Sequence, residues 1–183
     1  MDTTTITIIG VVLVLIVAFF LMAPNFTNRN RTKKLQEKFG NEYDLAKEKS
    51  GDEKKAQAEL LERQKHVETL DIRPLTEIER ERYVKSWGEV QSRFVDEPNQ
   101  AIVEGDRLIM EVMQLRGYPV SDFDQRAADI SVNYPELVSN YRAARTIALK
   151  NEQKLADTEE LRQAMIYYRS LFEELLEVKP VVA

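Results

Sequence analysis

Residues 76–117 read TEIERERYVKSWGEVQSRFVDEPNQAIVEGDRLIMEVMQLRG, and their apolar positions recur at steps of three and four. Tyr83, Val84, Trp87, Val90 and Phe94 form one stripe. Ile102, Leu108, Ile109, Val112, Met113 and Leu115 form a second. A stripe of that period marks a helix with one face buried. Thr76 followed three residues later by Glu79 is a capping box, which sets the start of the first helix. Asp96, Glu97, Pro98 and Asn99 make the turn, with Pro acceptable as an early helical residue. Gly117, before Pro119, stops the second helix. Gly88 and Gly105 each interrupt a helix, where Gly costs roughly 1 kcal/mol relative to Ala. They stand about equally far from the turn. In an antiparallel hairpin they are expected at one height, where they let the two helices approach closely.

The same reading continues downstream. A short helix is expected with Ser121 as its cap and Phe123, Ala127 and Ile130 on one face. Asn133, Tyr134 and Pro135 open a third long helix carrying Leu137, Val138, Tyr141, Ala144 and Ala148. The last starts at Asp157 or Thr158, with Glu159 and Glu160 in its first turn, where carboxylates suit the helix dipole. Its stripe is Leu161, Met165, Tyr168, Phe172 and Leu175. No stretch alternates as a half-buried strand would. The expected fold is therefore all-α, with a bundle of four long helices and one short helix over residues 73–179 and a tail at 180–183.

Upstream, residues 29–72 read as a juxtamembrane helical linker. Leu35, Phe39, Tyr43 and Ala46 keep helical spacing, with Gly40 and Asn41 as a potential break. Gly51 and Asp52 read as a stop and a restart, a C-cap followed by an N-cap. Ala56, Leu60, Val67 and Leu70 then line one side of an otherwise Lys-, Glu-, Gln- and Arg-rich helix. So thin a stripe suits a stalk, a short coiled coil, or a strut lying on the domain.

Residues 1–28 read as a transmembrane anchor. The run from Ile6 to Ala23 is broken only by Thr7 and Gly10 and contains no charge. At about 1.5 Å rise per residue it nearly spans a hydrocarbon layer of about 30 Å. Arg29, Arg31, Lys33, Lys34 and Lys38 follow it, against Glu37 alone, and the positive-inside rule places that side in the cytoplasm. This basic cluster at the membrane surface serves as a topology signal and suits anionic lipid heads. The alternative, export after signal cleavage, lacks a basic n-region, and Pro24 would follow the only small residue at the exit. The expected location is the cell membrane, single-pass, with the N-terminus outside and the C-terminal domain cytoplasmic.

The chain has no cysteine, which excludes disulfides and thiol catalysis. From Asp71 to Ala183 the charge is net acidic, which disfavours nucleic acid as a partner. His66 is the single histidine and stands among Glu62, Lys65 and Glu68 on the polar linker helix, where it reads as solvated. Metal sites of the usual His and Cys types and histidine-based acyl transfer find no constellation here. Gly117, Tyr118 and Pro119 form a helix exit and not a phosphate cradle. No catalytic residue, metal and cofactor are expected.

The densest polar segment is residues 118–129. Asp122 and Arg126 are four apart, as are Gln125 and Asp129, so on a helix each pair is adjacent. Tyr118, Asp122, Gln125, Arg126, Asp129, Tyr134 and Tyr141 form a candidate cluster. Its structural reading is a capped helix whose Arg126 ties loops together. Its functional reading is a polar pocket that receives a partner's peptide.

Arg116–Pro119 (RGYP), Asp124–Asp129 (DQRAAD), Asn140–Ala144 (NYRAA) and Leu161–Met165 (LRQAM), with Arg93–Asp96 (RFVD), resemble a family of uncharacterised bacterial proteins with one N-terminal span. The resemblance implies a bacterial origin and a membrane anchor, and it carries no activity. The expected function is a membrane-anchored adaptor or scaffold for an unknown protein partner. Alternatives are a membrane-linked enzyme or accessory subunit using carboxylates and Arg126, and a structural protein that self-associates weakly through the linker helix.

Overall fold

Helix-start and helix-stop chemistry divides this chain, whose computed structural model describes residues 30–177. The apolar run Ile6–Ala23, Arg29 and the tail lie outside the described residues. Every regular element among the described residues is a helix, and none is long and apolar enough to cross a membrane. The chain divides into two compact units, Met1–Lys38 and Phe39–Ala183. In the first, residues 30–38 are helical and carry Arg31, Lys33, Lys34 and Lys38. Lys33 and Glu37 approach to 3.8 Å there as an exposed pair one turn apart.

The second unit contains α1 (Asn41–Ser50), α2 (Glu53–Glu68), α3 (Glu77–Arg93), α4 (Pro98–Leu115), α5 (Phe123–Asn133), α6 (Pro135–Glu152) and α7 (Thr158–Leu176). Gly51, in the left-handed region at φ 65°, ends α1, and Asp52 caps α2 by accepting from the Lys55 amide. Capping boxes open α3 at Thr76 and Glu79 and α7 at Asp157 and Glu160. From residue 73 on there are four long helices and a short one, as the stripes require. The expected cap of α5 shifts by one residue: Asp122, not Ser121, accepts from the Gln125 amide. A carboxylate serves better there because it also meets the positive end of the helix dipole.

Helices α3, α4, α6 and α7 pack around one core. Helix α5 lies against α6, α2 lies against α5 and α1, and α1 lies against α6. Trp87 stacks on Phe172 with ring centroids 4.5 Å apart, and Ile102, Ile109, Met113, Ile130, Leu171 and Leu175 are fully buried in the same core. Burying each such aliphatic side chain stabilises the fold by about 1.5–3 kcal/mol before entropy is counted. Val84, expected in this core, is 51% exposed. Tyr83, Trp87 and Val90 already define the inward line, and Val84 lies a third of a turn off it.

Of the three forms open to the thin stripe of α2, the packing is that of a strut lying on the domain. Ala56, Leu60 and Val67 are buried, so the stripe that self-association would use is covered within the chain. The described residues from Phe39 onward share one unit, so residues 39–72 of the expected linker fall with the bundle and residues 30–38 do not.

The glycine expectation is half corrected. Gly105 is buried, and a Cβ there would lie 3.6 Å from Trp87 and Tyr168 side chains; Gly88 is exposed with nothing within 4 Å. The two do not meet as a backbone contact. Close approach occurs instead at Gly117 (φ 97°), where a Cβ would fall 2.3 Å from the Asp71 carbonyl oxygen. Gly117 closes α4 in a Schellman motif: its N–H donates to Gln114 and that of Tyr118 to Met113. The loop before α3 docks on this exit, with the Arg73 N–H donating to the Arg116 carbonyl at 2.9 Å.

Candidate functional site

The seven candidate residues separate into three environments. The first surrounds Arg116, whose side chain is buried at the end of α4. Its Nη1 donates to the Tyr134 hydroxyl at 2.8 Å and to the Leu175 carbonyl at 3.0 Å, and its Nε donates to the Arg73 carbonyl at 3.3 Å. It thus satisfies an orphan carbonyl in the last turn of α7. Tyr118 lies beside it and accepts from Asn133 Nδ2 at 2.8 Å. Burial pushes the Tyr118 hydroxyl up to about 12, so it stays neutral. Tyr118 and Tyr134 join the α4 exit to the α5–α6 junction here, and both are buried.

The second environment lies under α5. Arg126 is 5% exposed and does not pair with Asp122 as its spacing suggested. The Asp122 carboxylate is used as the helix cap, and Arg126 turns inward to donate to the Tyr141 hydroxyl at 3.2 Å and the Val120 carbonyl at 3.2 Å. Its guanidinium also stands 5.7 Å from the centroid of Phe123, over the ring. Asp106 on α4 lies nearby, its Oδ2 3.8 Å from Arg145 Nη1. Burial raises the Asp106 carboxyl above the usual range, against the pull of Arg126 and Arg145. Burial also pushes the Tyr141 hydroxyl up to about 12 and raises that of Tyr168.

The third environment is open. A recess of about 400 Å³ lies between α2 and α5, with Lys49 of α1 and Arg142 of α6 at its sides. Glu59, Glu62, Arg63 and His66 face it from α2, and Asp122, Asp124 and Gln125 from α5 and its cap. Its arginines are fixed. Glu42, 3% exposed, accepts from Arg63 at 3.0 Å and from two nitrogens of Arg142 at 3.3 Å. Arg63 also donates to Glu59 at 2.5 Å and to the Ser131 hydroxyl at 3.3 Å. Behind the recess Asp129 is fully buried. Its Oδ1 accepts from Gln125 at 2.8 Å, as the spacing of those two residues required, and stands 3.7 Å from His66 Nε2. No protein hydrogen bond reaches its Oδ2. Burial raises the Asp129 carboxyl, opposed by the Gln125 bond.

The recess therefore collects fixed cations, solvated carboxylates and one amide, an arrangement that recognises polar and charged groups. Among the described residues no three His, Asp or Glu side chains stand close enough together to hold a metal ion. Of the sequence candidates, Asp122 and Gln125 reach the recess and Asp129 backs it; Arg126, Tyr118, Tyr134 and Tyr141 do not. Sequence reasoning missed Glu42, Arg63 and Arg142, which lie on three different helices and share no local pattern. It placed His66 in solvent, and the imidazole is indeed 44% exposed, yet it faces a buried carboxylate. No protein-family profile, curated protein or solved structure matches this chain.

Proposed function

We propose that this chain is a membrane-anchored adaptor, held in the bilayer through Ile6–Ala23 with its domain on the cytoplasmic side, and that it receives a protein partner in the α2–α5 recess. The observation that carries this reading is the construction of the recess. Side chains from four helices converge on it, and its arginines are locked on the buried Glu42, so its shape and charge exist before a partner arrives. Preorganisation of that kind lowers the entropic cost of binding. The basic residues after the apolar run and the resemblance to single-span bacterial proteins support the anchor.

The chain lacks cysteine, so a cysteine placed at Asp124 is its only thiol. That thiol should react with a membrane-impermeant maleimide in inverted vesicles and stay unlabelled in intact cells. Labelling from outside intact cells overturns the placement. Crosslinking from the same thiol in native membranes should recover one protein repeatedly.

A second reading, a membrane-linked enzyme or accessory subunit, is favoured by one observation: the buried Asp129 standing behind a half-exposed His66 at the recess. A carboxylate so placed orients an imidazole for proton transfer. Under that reading Asp129→Asn abolishes turnover of whatever fills the recess while leaving its binding intact.

A further inference from the structure

We propose that the end of the bundle formed by the α3–α4 and α6–α7 turns is a docking surface for a basic amphipathic segment of a protein partner. This surface shares no residue with the α2–α5 recess and so goes beyond the reading above. The two turns lie side by side, tied by a hydrogen bond from Asn151 Nδ2 to the Asn99 carbonyl at 2.9 Å. Between them runs an open groove of about 870 Å³ whose apolar lining is Pro98, Val103 and Ala156.

Large aliphatic side chains flank this groove in solvent. Val95, next to the lining residue Asp96, is 81% exposed; Leu155, between the lining residues Lys154 and Ala156, is 70% exposed; Val103 is 50% exposed. A single exposed aliphatic needs no explanation, but here one comes from each turn, next in sequence to lining residues, and a third, Val103 of α4, lines the groove itself.

The rim supplies the sign of the partner. Asp96, Glu97 and Glu152 line the groove against Lys154 alone. Glu152 stands 3.7 Å from Arg145, whereas Asp96 and Glu97 form no ion pair among the described residues. The neighbouring charges are already matched, Arg93 with Glu104 and Lys150 with Glu160. A groove in which Pro98, Val103 and Ala156 stand beside the amides Asn99, Gln100 and Asn151, with unpaired carboxylates at its edge, fits a helix that carries aliphatic residues on one face and Lys or Arg beside them. An anionic lipid surface is repelled by the same carboxylates, and a second copy would set them against their like.

The test uses the full chain in nanodiscs of neutral lipid. A fluorescent Leu/Lys amphipathic helical peptide and its Leu/Glu counterpart are titrated against it by anisotropy. The Leu/Lys peptide should bind at least tenfold more tightly than the Leu/Glu peptide. V95S/L155S and D96N/E97Q should each weaken it at least tenfold with helicity unchanged by circular dichroism, whereas E81Q/E89Q, which removes equal charge from α3 away from the groove, should leave it as it is. Absent binding, equal binding of both peptides, or wild-type affinity in V95S/L155S overturns the proposal. So does sedimentation showing a dimer that V95S/L155S dissolves, or binding to anionic vesicles that the same substitutions abolish.

Discussion

Arg142 and Glu42, a hundred residues apart in the chain, are joined by two hydrogen bonds of 3.3 Å, and Glu42 is 3% exposed. The same carboxylate holds Arg63, so one side chain of α1 ties α2 and α6 together. Removing one partner of such a group leaves the others with uncompensated charge. Because both arginines retain some exposure, Glu42→Ala should cost about 2–3 kcal/mol, less than the roughly 3–5 kcal/mol for breaking a fully buried pair. Urea unfolding gives the magnitude. Hydrogen exchange should accelerate in α1 and α2 ahead of α4 and α7; uniform protection across all four would contradict the role given to Glu42.

A glycine inside a helix and one at a helix exit should respond in opposite directions. Gly117→Ala puts a Cβ against the Asp71 carbonyl in a left-handed conformation, which should cost about 2–4 kcal/mol. Gly88→Ala meets open space within α3 and should stabilise by up to about 1 kcal/mol. Denaturant midpoints of the two variants check both signs in one experiment.

Lys154 is the one non-glycine residue with positive φ among the described residues, at 59°. It closes α6 much as Gly117 closes α4, with the Leu155 N–H donating to Lys150 and the Lys154 N–H to Asn151. A side chain in that region costs roughly 1–2 kcal/mol. Lys154→Gly should recover about 1 kcal/mol, measured as a raised midpoint of thermal or urea unfolding.

The acid limb of stability should carry a visible contribution from Glu79. Its carboxylate accepts from Arg73 at 2.8 and 2.9 Å and from the Thr76 amide at 2.8 Å, which lowers its pKa to about 2 from 4.5. A carboxylate depressed in the folded state stabilises above its unfolded pKa and loses that stabilisation as pH falls through the folded value. Glu79→Gln should therefore flatten the stability curve between about pH 4.5 and 2. Asp106 has the opposite sign. Burial raises its pKa, so its charge costs stability near neutrality and protonation relieves that cost. Asp106→Asn should be more stable than wild type at pH 7, with the difference narrowing as pH falls toward 3.8.

The helices were legible because their signals are local. Thr76 and Glu79, Gly51 and Asp52, and the stripe from Leu161 to Leu175 each sit within a few turns of one another, and each forms the element that its spacing implies. Gln125 and Asp129 met for the same reason. Asp122 and Arg126 did not, because capping and burial compete with an exposed pair worth only about 0.3–0.5 kcal/mol. The recess was hidden for a different reason. Glu42, Arg63, Gln125 and Arg142 come from four helices, and the packing of α1 on α2 and α6 and of α2 on α5 brings them together. The thin stripe of Ala56, Leu60 and Val67 announced that α2 packs against something, and it carried no information about which surface that was.

The adaptor reading is tested most directly by a photocrosslinker attached to a single cysteine at Asp124, compared with one at Glu81, in native membranes. Asp124 lines the recess and Glu81 is an exposed residue of α3. One protein should be captured from position 124 and not from 81, and Glu59→Lys with Glu62→Lys should abolish the capture. Equal capture from both positions, or capture untouched by those substitutions, would contradict the adaptor reading.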